Sequence, residues 1–315
     1  MTTTMTQPAG PGSASDHDDV VMVCDLVKRY GTTEAVQGVS FEVRRGELFG
    51  LLGTNGAGKT TTVEILQGLR RPTAGLVRVL GLDPAVDGDR LRRRIGSQLQ
   101  DAALPDRLQV GEALRLFAAL HERPRAVDEL AVEWGLERLL RRPFAGLSGG
   151  ERQRLFVALA LVSRPEIVFL DELTQNLDPL GRRRTWDVVR RVRDAGTTVV
   201  LVTHDVEEAE RLCDRIVLLD HGRVTAAGTP ASIIESLGGH DVVKFTDVEL
   251  DVRLLLDVPG VEHVERHGFE VHVTGRGPVL AHVAAHLIAA GRPPLDLRVD
   301  RPTLEDQFVA LHEEA

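Results

Sequence analysis

The chain has 315 residues, 43% of them hydrophobic, which is enough for one large domain and one small one, each with its own core. Its formal net charge of −9 supplies no global basic field for nucleic acid, so no nucleic-acid partner is expected. No stretch approaches the roughly 18 consecutive apolar residues of a membrane-spanning helix, so any membrane role must come through a partner. The only cysteines, Cys24 and Cys213, read as reduced thiols in a reducing compartment.

The start, residues 1–19, is rich in Thr, Ser, Pro and Gly and ends Asp16-His17-Asp18-Asp19. It lacks the basic-then-apolar pattern of a signal peptide and is expected to be a disordered tail. Val20–Val27 and Val39–Val43 read as strands on either side of a turn near Gly31, and Leu48–Leu52 as a buried strand. Thr61–Leu69 reads as a helix and Leu76–Leu80 as a strand. Val110–Leu120, Val127–Trp134 and Gly150–Ser163 have helical spacing and form a helical stretch inside an otherwise α/β pattern. Ile167–Leu170 is a continuous apolar run suited to a central parallel strand. A helix (Gly181–Ala195), a strand (Thr197–Val202) and a helix (Val206–Leu212) follow, then a hairpin, Ile216–Leu219 with Arg223–Ala226, around His221-Gly222. Gly238-Gly239 marks a linker. Beyond it the expected order is strand 242–245, helix 248–256, strand 261–266, strand 269–273, helix 278–290, strand 295–299 and helix 303–312, a split βαβ unit with one added helix.

Residues Gly53 to Thr61 read Gly-Thr-Asn-Gly-Ala-Gly-Lys-Thr-Thr and fit G-x-x-x-x-G-K-[ST], a loop that cradles nucleotide phosphates. Glycines let the backbone curl so that successive N–H groups point at one anion. All but three of the 38 basic residues are arginine, so the lysine at 59 stands out as the compact charge for the β- and γ-phosphates. Gly53, Asn55, Gly56, Gly58, Lys59, Thr60 and Thr61 are the expected nucleotide contacts, with the Thr60 hydroxyl also placed to ligand Mg²⁺. At the end of the central strand, Asp171 can hold Mg²⁺ and Glu172 can polarise a water for in-line attack on the γ-phosphate. Leu147-Ser148-Gly149-Gly150-Glu151 opens a helix; its hydroxyl and free N–H groups suit an anion, and they also suit an ordinary helix cap.

Over residues 21–237 these motifs resemble the ATP-binding subunit of ABC transporters. The resemblance implies an α/β fold of the P-loop NTPase ABC-cassette type: a RecA-like core, an antiparallel β subdomain and a helical subdomain at about 101–163, spanning 20–237. A small C-terminal α+β domain at 240–315 follows. It also implies roles for single residues. Ser148, Gly149 and Gly150 of one subunit would close over ATP held by the partner's phosphate loop, and Asp178 would couple the two sites. Tyr30 would stack on adenine and His204 would contact the γ-phosphate. Gln100 would touch Mg²⁺ or the attacking water; Gln98 competes for that assignment two residues earlier.

The chain departs from the family pattern where Leu173 stands for Pro and Asn176 for Gly. Asn is the best non-Gly residue for positive φ, so an active ATPase with altered coupling between sites is expected. Two shorter stretches, Gln98–Pro105 and Arg301–Phe308, resemble bacterial drug-exporter ATPases of the daunorubicin-resistance type. The implied assembly is a homodimer closed through ATP and paired with a separate integral membrane permease, peripheral on the cytoplasmic face of the membrane. ATP and Mg²⁺ are the implied cofactors, and the transported compound would be drug-like or lipid-like. The rival class is a soluble ABC ATPase acting on nucleic acid or the ribosome, but the chain has neither a long coiled-coil insert nor tandem cassettes. His282 and His286 have i, i+4 spacing but fall opposite an apolar face of Leu280, Val283 and Leu287, and are expected on a solvated face.

Overall fold

A computed structural model describes residues 18–98, 103–175, 177–237, 239–294, 296–300, 302–306 and 308. In chain order the first half contains β1 (Asp19–Tyr30), β2 (Thr33–Arg44), β3 (Leu48–Gly53), α1 (Lys59–Leu66), β4 (Ala74–Val79), α2 (Gly88–Arg92), β5 (Ile95–Gln98), α3 (Val110–Ala118), α4 (Val127–Glu133) and α5 (Gly149–Leu161). Then come β6 (Ile167–Asp171), α6 (Pro179–Asp194), β7 (Thr198–Thr203), α7 (Val206–Leu212), β8 (Arg215–Asp220), β9 (Arg223–Gly228) and α8 (Pro230–Ser236). The last part holds β10 (Asp241–Thr246), β11 (Val261–His267), β12 (Glu270–Gly275), α9 (Val279–Ala289) and β13 (Arg298–Asp300).

The apolar runs decide the centre. β3, β6 and β7 are buried along their whole length, as strands inside a parallel sheet must be. They sit in a six-stranded sheet of order β5-β6-β7-β3-β8-β9. All its pairings are parallel except β8 with β9, where His221 and Gly222 both have positive φ, as a tight hairpin turn demands. Side chains alternate across the sheet. Phe49 and Leu51 join Leu26, Val36, Val39 and Phe169 in a core shared with the antiparallel sheet β2-β1-β4. Leu48 and Leu52 join Leu155, Leu170, Val189 and Leu201 in a second core under α5, α6 and the helical stretch.

Three elements have no counterpart in the sequence reading. β5 is four residues long and interrupted by Gly96, where a Cβ would meet the Ala160 carbonyl at 2.0 Å. α2 is a single short turn. α8 carried a readable start, since Pro230 follows Thr229, whose hydroxyl accepts the Ser232 N–H at 3.1 Å.

The C-terminal sheet has the order β11-β12-β10-β13 with every pairing antiparallel, the arrangement of a split βαβ unit. Val243, Phe245, Val271 and Val273 pack on Val279, Val283 and Leu287 of α9 as a separate core. The helix expected at 248–256 is only a 3₁₀ turn, Val252–Leu255. The Asp247 carboxylate accepts the N–H groups of Glu249 and Leu250, and Asp251 accepts that of Arg253. These local bonds compete with helix formation. Of the final helix expected at 303–312, residues 303–306 and 308 are described, helical from 304, and Leu304 and Phe308 pack against the larger ATPase-side core, not the C-terminal one.

Candidate functional site

Strand register brings the predicted residues to one edge. Leu52 pairs with Thr203, Asp171 with Val202, and Gln98 with Leu170. The carboxyl ends of β3, β5, β6 and β7 therefore line up, which is where open α/β sheets bind ligands.

From β3 the chain turns through residues 54–58 into α1, whose first residue is Lys59. Gly58 has φ +97°, and a Cβ there would meet the Ala35 carbonyl at 2.4 Å. At Gly53 a Cβ would meet the Leu219 carbonyl at 2.2 Å. Both positions exclude any side chain. Asn55 and Gly56 are exposed at the crest, and Thr60 is exposed beside the unpaired N–H groups that begin any helix. Lys59 folds back under the loop and its Nζ donates to the carbonyls of Gly53 (2.8 Å) and Thr54 (2.9 Å). Burial pushes its pKa below the usual lysine value, and the charges of Glu172 and Asp171 push it back up. Thr61 is half-buried on the same turn.

Asp171 is buried as the last residue of β6. Glu172 follows with φ +49°, a left-handed conformation rare outside glycine, held by its N–H to the Val202 carbonyl at 2.8 Å. That turn aims its carboxylate across the sheet end, where Oε1 lies 3.1 Å from His204 Nδ1. A carboxylate only accepts, so Nδ1 carries the proton of this contact. His204 stands between Thr203, which ends β7, and Asp205, which caps α7. Gln100 lies outside the described residues. Gln98 is buried, and its Oε1 accepts the Asp171 N–H at 3.1 Å, a contact that fixes the base of the same edge.

Ser148 caps α5. Its hydroxyl accepts the Glu151 N–H at 3.3 Å, and its own N–H donates to Glu151 Oε2 at 2.7 Å. That backbone bond, chiefly, holds the Glu151 carboxyl below the usual range. A glutamate at this position is therefore a working half of the cap. Asp178 caps α6 by accepting the Gly181 N–H at 2.6 Å; Asn176, just before it, lies outside the described residues. Ser148, Gly149, Gly150 and Asp178 share a groove of about 830 Å³ that none of residues 53–61 lines. Tyr30 ends β1 with its ring half-open to solvent and two cations beside it, Lys28 Nζ at 5.1 Å and Arg70 Cζ at 5.5 Å from the centroid.

His282 is half-buried and its Nδ1 lies 2.7 Å from the Pro259 carbonyl, while His286 is half-buried as well, so neither sits on a fully solvated face. Among the described residues no group of three His, Cys, Asp or Glu side chains could hold a metal ion. Sequence reasoning missed Glu208, a carboxylate buried between α6 and β7. Asp205 and Glu208 have the spacing of a capping box, which points to a surface pair; only the fold reveals the burial.

The family model described as ABC transporter matches residues 36–175. The daunorubicin resistance ATP-binding protein DrrA3 of Streptomyces coeruleorubidus is 41% identical over 303 residues, 93% of this chain and 96% of that protein. The Nod factor export ATP-binding protein I of Ralstonia nicotianae is 37% identical over 97% of both. Among solved structures, an ATP-binding subunit of an ABC transporter superposes with a TM-score of 0.63 at 32% identity, covering 70% of this chain and 93% of that one. An ATP-binding cassette in a dimeric post-hydrolysis state with ADP and Pi gives 0.60 at 28% identity, covering 66% and 98%. Likeness over nearly the full length, on a sheet edge assembled as above, means that the chain belongs to the ABC transporter family as one of its ATP-binding, ATP-hydrolysing proteins.

Proposed function

We propose that this chain is the ATPase of a two-component exporter, working as a homodimer on a separate integral membrane permease and expelling a drug-like or lipid-like compound. The observation that carries the chemistry is the Glu172–His204 contact of 3.1 Å beside the phosphate loop. Full-length likeness to drug-resistance and Nod-factor-export proteins supports the transport direction. No helix among the described residues is long and apolar enough to cross a membrane, which suits a subunit docked peripherally at the cytoplasmic face.

In this reading Lys59 exchanges its two carbonyl partners for β- and γ-phosphate oxygens, and Tyr30 stacks on adenine. The backbone N–H groups of residues 55–61 surround the phosphates. The oxygen donors Thr60 and Asp171 fit Mg²⁺, which takes one or two protein ligands plus phosphate oxygens and water. When bound it neutralises charge on the β- and γ-phosphates. Glu172 accepts the proton of a water that attacks the γ-phosphorus; the bond from phosphorus to the ADP oxygen breaks, leaving ADP and inorganic phosphate. His204 steadies the Glu172 carboxylate through Nδ1–H, and only as the doubly protonated imidazolium does its Nε2 also donate to a γ-phosphate oxygen; the family resemblance assigns Gln100 to the metal or the water. Ser148, Gly149, Gly150 and Asp178 meet the nucleotide of a second copy, consistent with a groove that none of residues 53–61 lines.

The test is phosphate release by the purified chain with ATP and Mg²⁺, wild type against Glu172→Gln. Turnover should fall at least a hundredfold while ATP affinity stays within about threefold, as loss of a general base with shape retained implies. Release by the variant within twofold of wild type sinks the assignment.

A further inference from the structure

Glu208 is 1% exposed, a carboxylate in the core that no step above uses. It sits in the first turn of α7, where its N–H donates to Asp205 Oδ1 at 3.0 Å, and its side chain turns inward. Oε1 accepts the indole N–H of Trp186, in the middle of α6, at 3.2 Å. Oε2 is buried without a hydrogen-bond partner. Burial pushes the Glu208 carboxyl pKa up and the neighbouring side chains of Thr203 and Thr174 push it back down, although Oε2 makes no hydrogen bond. Both threonines are buried as well. Thr203 Oγ1 already accepts the Asp205 N–H at 2.9 Å, which leaves its proton free to donate toward Glu208.

The identities of these neighbours carry the argument. Thr203 immediately precedes His204. Thr174 lies two residues beyond Glu172, and its backbone carbonyl accepts the Leu177 N–H at 3.2 Å, just before the Asp178 cap. Trp186 belongs to the helix that Asp178 begins. One buried carboxylate thus faces the segment carrying the proposed base, the segment carrying its histidine and the helix behind the proposed coupling aspartate. A carboxylate left short of partners in a core is costly, and apolar packing would serve stability at least as well. Such a group has a reason to persist when it sets the distance between the parts it touches.

We infer that Glu208 is a positioning residue for ATP hydrolysis: through Trp186, Thr174 and Thr203 it fixes the Glu172 turn against the His204 turn. It touches no reacting atom. The inference rests on the proposed roles of Glu172 and His204.

The experiment measures kcat and KM for ATP, with thermal melts, for Glu208→Ala, Glu208→Gln and Trp186→Phe. Val189→Ala, a buried change elsewhere on α6, reports what simple loss of core packing does. Glu208→Ala should lose at least tenfold in kcat with KM within threefold, and Val189→Ala should keep kcat within twofold. Glu208→Gln retains an acceptor for the indole and should recover kcat to within threefold of wild type. If the alanine variant does not fold, Trp186→Phe carries the test and should lose at least threefold in kcat at unchanged KM. Wild-type kcat in Glu208→Ala or Trp186→Phe overturns the inference, as does a loss in kcat that tracks the drop in melting temperature equally across all variants. Glu172→Gln is assayed in parallel. If it turns over normally, the catalytic reading itself has failed; if it is silent while Glu208→Ala is active, only the positioning role has failed.

Discussion

Glu172 adopts a backbone conformation that ordinarily falls to glycine, and such strain costs on the order of 1–3 kcal/mol where the surroundings enforce it. Here the enforcing bond is the Glu172 N–H to Val202, which lets one residue turn its carboxylate toward His204. Gly58 is the opposite case, a position where the backbone leaves no room. Gly58→Ala should weaken ATP binding at least tenfold by calorimetry, because the new methyl would lie 2.4 Å from the Ala35 carbonyl and force the loop away from it. Unchanged affinity would show that the loop tolerates a shift that its contacts forbid. At this scale the sequence was highly legible. Motif spacing singled out Lys59, Asp171, Glu172 and His204, and the parallel register brings the strand ends that lead to them to one edge; the chemistry assigned to them is the proposal made above. Gln98 against Gln100 was less so, since the assignment depends on where β5 stops and that strand was invisible in four residues with a glycine among them.

Among the elements, α5 shows how one sequence feature serves two ends. Its Ser148–Glu151 box stabilises the helix start in the monomer, so Ser148→Ala should cost about 1 kcal/mol and lower the melting temperature by a few degrees. ATP should raise the dimer fraction of Glu172→Gln in light scattering, and adding Ser148→Arg should prevent that dimer. A dimer that survives the arginine would refute closure through this helix. Glu166, between β5 and β6, is bonded by Arg94 and Arg45, which hold its carboxyl below the usual range. A carboxylate with a lowered folded pKa adds stability above its unfolded pKa, near 4.5, that is lost as pH falls through the folded value. Glu166→Gln should therefore flatten the acid limb of melting temperature against pH below about 4.5. An acid limb that superimposes on wild type would mean the ion pairs carry no measurable weight. Elements with long apolar runs, β3, β6 and β7, were readable because burial on both faces keeps their middles apolar and leaves polar residues only at the ends. The 248–256 segment was misread because apolar periodicity looked helical while two aspartates, Asp247 and Asp251, capture the backbone donors locally.

For the whole molecule, the chief departure from the sequence reading concerns the last residues. Residues 303–312 were read as the closing helix of the C-terminal unit, yet Leu304 and Phe308 pack against the core formed by Leu48, Leu155, Leu201 and their neighbours. We propose that residues 240–315 tune the ATPase without contributing chemistry. A chain ending at Leu237 should bind ATP within threefold of the full chain but melt several degrees lower, because it forfeits a fully buried leucine worth about 1.5–3 kcal/mol. Loss of binding despite a cooperative melt would place part of the nucleotide site in the deleted region. The returning segment has a mechanical consequence. The small sheet leaves the ATPase after α8 and comes back where the Leu304 N–H meets Glu210 of α7 at 3.2 Å. It is slung from two anchor points, like a bucket handle, instead of hanging from Gly239 alone. A load applied to that sheet reaches α7 directly, one turn from where that helix begins beside His204.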